Sequence, residues 1–121
     1  MNEQPLRNEL DRMALLQGVQ GCALVEIETG MAWYVTGQSP DIAKISEAAS
    51  DYWRLYERLN NHFTRLGDMR AAVFMHRYNR ITLLPCGKDK LLVALTHEKT
   101  SVDWTEWQLR VRALASRIDH S

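Results

Sequence analysis

Residues 41–66 read DIAKISEAASDYWRLYERLNNHFTRL, and this stretch decides the fold. Ile45, Ala49, Tyr52, Tyr56, Leu59, Phe63 and Leu66 recur at alternating steps of four and three, the spacing of one face of a helix. The opposite face carries Glu47, Arg54, Glu57, Arg58, Asn61 and Arg65. Ser39 before Pro40 supplies a cap with proline in the first turn, and Gly67 supplies a stop. The spacing therefore predicts one helix over about 41–66. Ala48 and Leu55 widen the apolar seam on one shoulder and Trp53 on the other, to an arc of about 160°, where ~100° covers one face of a core. The surplus predicts a second surface for this helix to pack on.

Three strand candidates follow the helix: RAAVFMHR at 70–77, RITLLPC at 80–86 and LLVALTH at 91–97. Tyr78-Asn79 and the run 87–90 join them as hairpins. Ala71 through Met75, and Leu91 through Leu95, run apolar without alternation, so a sheet covered on both faces is expected. Before the helix, CALVEIE (22–28) and MAWYV (31–35) form a hairpin around Thr29-Gly30. An amphipathic helix precedes them, with Pro5 in its first turn, Leu6, Leu10, Met13 and Leu16 on its seam, and Gly18 at its end. The last helix begins at Asp103, a cap with Glu106 three residues on, and has Trp104, Trp107, Val111, Leu114 and Ile118 as its seam. The order is helix, two strands, long helix, three strands, helix. It predicts an α+β domain spanning 1–121: a five-stranded antiparallel sheet with the long helix on one face and the terminal helices on the other.

The chain has 121 residues, 15 basic and 15 acidic, for a net charge of zero. That balance argues against general nucleic-acid and anionic-membrane binders, which rely on an excess of Lys and Arg. The polar, acid-containing start MNEQPLRNELDRM resembles neither a signal nor a transit peptide, and no apolar run approaches a membrane span. A cytoplasmic location is the expectation. Cys22 and Cys86 are too few and too far apart for a disulfide framework or a zinc site, and both sit among apolar neighbours as small hydrophobes. No glycine-rich nucleotide loop is present. His97-Glu98 opens like a zinc-protease motif, but position 101 is Ser, so the second ligand is missing. His62, His76 and His120 show no catalytic pattern. No catalytic, metal or cofactor residue is expected, and no cofactor.

Arg70, His76, Arg77 and Arg80 cluster around the third strand and its turn, either as a solvated hairpin or as a docking patch for an acidic partner. Trp53 is the other informative residue: tryptophan anchors both cores and interfaces, and on the shoulder of the long helix it suits either.

The stretch GVQGCALVEIETGMAW, the helix ISEAASDYWRLYERL, and RAAVFMHRYNRITLLPC with LLVALTHEKTS together resemble the roadblock/dynein light chain family, of the stand-alone bacterial type. The likeness in element order runs from about residue 6 to residue 118. Its carrying pieces are Gly18-Val19 with Gly21, Gly30, and the LLVAL strand. The aromatic-rich long helix and the tryptophan pair of the last helix depart from the pattern. The resemblance implies a non-enzymatic protein-interaction module that forms a homodimer, or a heterodimer with another roadblock protein. Third strands would pair edge to edge with the long helices side by side. On this chain it places the interface at Tyr52, Trp53 and Tyr56 of the helix and Ala71, Val73 and Met75 of the strand. It further implies a small Ras-like GTPase or a signalling scaffold as partner; the charge balance adds the expectation of no nucleic acid and no membrane.

Two other readings stand beside it. A small-ligand sensor of profilin-like or PAS-like architecture would need a cavity under the long helix, lined by Phe63, Phe74 and Cys22. An enzyme would have to rest on His76, His97 or Cys86.

Overall fold

Five strands form one antiparallel sheet: β1 (Val19–Glu26), β2 (Ala32–Gly37), β3 (Ala72–Met75), β4 (Asn79–Pro85) and β5 (Lys90–His97). Their order is β2-β1-β5-β4-β3 in the computed structural model, which describes residues 4–99 and 103–119. Ser101 and His120 lie outside the described residues. Helix α2 (Ile42–Arg58) covers one face, while α1 (Gln4–Ala14) and α3 (Trp104–Asp119) cover the other. The three-layer α+β arrangement predicted from periodicity is the one observed.

Alternation along each strand splits the core in two. Leu10, Cys22, Leu24, Leu92, Ala94, Trp107 and Leu114 pack between the sheet and the terminal helices. Ala23, Val25, Ala49, Trp53, Leu83, Leu91 and Val93 pack under α2. Side chains of β1, β5 and β4 are buried on both sides, which is why these strands carry unbroken apolar runs.

Double coverage fails at the edge. On β3, Ala72 and Phe74 pack under α2, whereas Val73 is 50% and Met75 74% exposed on the opposite face. The terminal helices stand over the middle of the sheet and leave this strip bare.

The long helix is shorter than predicted. It ends at Arg58, and residues 60–66 form two short 3-10 turns, Asn60–His62 and Thr64–Leu66. The Asn60-Asn61 pair accounts for the break, because short amide side chains compete with the helical backbone for hydrogen bonds. Past the break, Phe63 folds back to stack on Tyr56 with ring centroids 5.1 Å apart. The N-cap is Asp41, with no side-chain cap bond; Ser39 instead donates its backbone N–H to the Gln20 carbonyl at 3.0 Å. α3 keeps its expected cap, since the Asp103 carboxylate accepts the Glu106 N–H at 3.1 Å. The β3–β4 turn centres on Arg77-Tyr78, not Tyr78-Asn79: the His76 N–H donates to the Asn79 carbonyl at 2.8 Å, so Asn79 already belongs to β4.

Candidate interaction surface

The buried face of α2 consists of Ile42, Ser46, Ala49, Ser50 and Trp53. It is rotated from the predicted seam, sharing only Ala49 with it. Small Ser46 and Ser50 bring the helix close to the sheet, where Ile42 lies about 3.2 Å from where a side chain on Gly21 would begin. Arg54 fixes the helix to the β1–β2 turn: it donates to the Ile27 carbonyl at 2.9 Å and to the Ser50 hydroxyl at 3.0 Å, and pairs with Asp51. Gly30 has φ +77° in that turn, and a Cβ there would sit 3.1 Å from both Ser50 and Arg54.

This rotation corrects the placement of Trp53. It is buried against the sheet with its indole N–H donating to Glu57 at 3.0 Å, so it is core and not a free shoulder. Tyr52 takes the shoulder instead, 49% exposed and stacked on Phe74 of β3 with centroids 4.4 Å apart. Tyr52, Leu55 and Leu59 are all exposed and spaced at i, i+3 and i+7, an apolar stripe along the outside of α2. Beside it runs an open groove of about 960 Å³ between α2 and the turns around Glu28 and Lys88.

The sheet has two edges, and they differ. β2 pairs with β1 through an irregular register between Leu24 and Val25, and the Ala32 N–H is taken by the Glu47 carboxylate at 3.1 Å. A bulge and a capped donor blunt that edge. β3 is regular over all four residues. The His76–Asn79 bond sets the alternation of the ladder, so Ala72 and Phe74 bond to β4 while Val73 and Met75 present N–H and C=O outward. The open edge therefore lies beside Tyr52, the end of the apolar stripe that stacks on Phe74.

The six residues expected at an interface fall into three groups. Tyr52 and Tyr56 are on the accessible side of α2, Trp53 is inside, and Ala71, Val73 and Met75 are on the sheet face turned away from α2. The interface set read from the sequence leaves out Phe74, which strand parity places with Ala72, and Leu55, which the helical spacing had already put on the apolar shoulder.

The basic patch is divided. Arg70 precedes β3 and His76 follows it, six residues or about 20 Å along an extended chain. Arg77 lies over the Tyr78 ring at 5.7 Å in the turn, and Arg80 points to the face of Met75, its register partner.

The proposed sensor cavity does not form. Cys22 belongs to the core under the terminal helices and Phe74 to the core under α2, on opposite faces of the sheet. The hollow beside Phe63, about 270 Å³, includes neither. Both cysteines are buried and free. Desolvation raises each thiol to about 12, helped by the charge of Asp11 at Cys22 and of Asp119 at Cys86. Neither is disposed to act as a nucleophile. Among the described residues no group of His, Cys, Asp and Glu could hold a metal, and no helix is long and apolar enough to cross a membrane.

By sequence, neither a protein-family profile nor a curated protein matches the chain. By structure, it is similar to a Roadblock/LC7 domain from Streptomyces avermitilis, 18% identical with a TM-score of 0.74, over 98% of this chain and 95% of that one. It is also similar to the gliding protein MglB from Thermus thermophilus, 13% identical with a TM-score of 0.77, over 96% and 90%. Myxococcus xanthus MglB is 14% identical with a TM-score of 0.75, over 98% and 94%. The fold is thus the roadblock fold across nearly the whole chain.

Proposed function

We propose that the chain is a non-enzymatic, dimeric interaction module of the cytoplasm, an adaptor or regulator of a small Ras-like GTPase. The observation that carries this reading is the unblunted β3 edge beside exposed Tyr52, which stacks on Phe74 and heads the Tyr52–Leu55–Leu59 stripe. Two copies joined through Val73 and Met75 continue the sheet, and their α2 stripes bury against each other. That arrangement uses the surplus apolar arc of the helix. The GTPase follows from the roadblock resemblance, and structural likeness to MglB proteins supports it at the level of the fold.

Sedimentation velocity tests the assembly: a dimer at micromolar concentration, and monomer for Tyr52→Arg and for Val73→Pro. A well-folded wild-type monomer overturns it. The partner is tested by capture from the native cell followed by nucleotide-turnover assays. A copurifying GTPase whose hydrolysis or exchange rate changes with added dimer supports the assignment, and an unaltered rate removes it.

A further inference from the structure

On the face opposite α2, register and core membership align six residues in and beside β3 and β4. Ala71 and Leu84 pack with the core under the terminal helices, so by strand parity Val73, Met75, Thr82 and Arg80 point the same way. From Leu84 to Arg80 the strip runs about 13 Å. α3 approaches it at the Leu84 end. Its flank carries Trp104, Gln108 and Arg112, and Gln108, Val111 and Arg112 meet Arg70 and Leu84 in a groove of about 190 Å³.

The floor is apolar and open at Val73 and Met75, while the charges are of one sign. Arg70, Arg80 and Arg112 bracket the strip, and no carboxylate lines the groove. None of the three makes an ion pair among the described residues, and the Arg80 Nε and the Thr82 hydroxyl are buried without hydrogen-bond partners. Such groups are costly to leave unmade. In a chain of zero net charge this is a local excess with an apolar centre.

We infer that the trough between β3 and α3 binds an acidic amphipathic segment of a partner protein, apolar side chains on Val73 and Met75 and carboxylates on Arg70, Arg80 and Arg112. A nucleic acid or an anionic headgroup satisfies the arginines but has no apolar side chain for the floor. The site is complete in one protomer and does not depend on the dimer; β3 pairing sets two such troughs side by side. It also recombines Arg70 and Arg80 of the divided basic patch with a residue of α3 that sequence distance concealed.

The test is a titration of the isotope-labelled protein, followed by NMR, with a synthetic amphipathic helix having one leucine face and one glutamate face. Saturable shifts at Val73, Met75, Gln108 and Arg112 are expected, and Arg80→Gln with Arg112→Gln weakens binding at least tenfold. Arg65→Gln, on the exposed 3-10 turn, leaves binding unchanged. Absent shifts, shifts centred on α2, or equal binding of a leucine–lysine helix, a DNA oligonucleotide or phosphatidylserine vesicles overturns the inference. Because Arg80→Gln and Arg112→Gln leave the β3 edge intact, loss of peptide binding with the dimer retained separates this site from the assembly.

Discussion

Trp53 and Tyr52 are neighbours with opposite duties. Removing Trp53 empties a core position and costs about 3–5 kcal/mol, whereas removing Tyr52 forfeits an exposed stack worth about 1 kcal/mol. Urea melts of Trp53→Ala and Tyr52→Ala in the Val73→Pro background, where assembly does not intervene, are expected to show that order. The cysteines give a pH signature. Their folded values lie near 12 against about 9 when unfolded, so the folded state holds the protons more tightly. Their stabilising contribution is therefore complete below about pH 9 and falls as pH rises from there towards 12. Stability against pH should decline over that window, and the decline should shrink in Cys22→Ala with Cys86→Ala. In the native protein both thiols should resist a thiol reagent at pH 8 and react once unfolded.

At the scale of elements, α3 has a well-made N-cap in Asp103. Asp103→Ala should cost about 1 kcal/mol and lower helix content by circular dichroism, with the rest of the fold intact. The edge strand offers a cleaner dissection. Val73 has its N–H outside the β3–β4 ladder, so proline there removes an outward donor and no internal bond. Val73→Pro should keep the wild-type circular dichroism spectrum while losing the dimer; a variant that stays dimeric places the contact elsewhere. Helix existence was legible from steps of three and four, and so were the number and order of the strands, although β1 begins at Val19, three residues before the predicted start, and the predicted 70–77 strand pairs only over Ala72–Met75. The end of α2 was not, because the apolar spacing continues through Asn60-Asn61 to Leu66 although the backbone leaves the helix at Arg58. Periodicity reports which faces are apolar, not where hydrogen bonding stops.

For the molecule as a whole, dimerisation should make thermal stability depend on protein concentration by mass action, and Val73→Pro should abolish that dependence. Differential scanning calorimetry over a hundredfold concentration range checks it. The sequence by itself determined the element order, the three layers and the exclusion of a glycine-rich nucleotide loop. These follow from local periods, caps and turn residues, which act within a few positions. Tertiary structure decided which side of α2 is buried, since an arc of about 160° leaves several rotations apolar and only contact with the sheet selects one. It also decided the facing of β3, because five consecutive apolar residues carry no parity, and it chose the open edge over the blunted one. The trough is the extreme case: Arg70 and Arg112 are distant in sequence and share one groove only because α3 packs at the Leu84 end of β4, while Arg80 is brought to the same sheet face by the β3–β4 register.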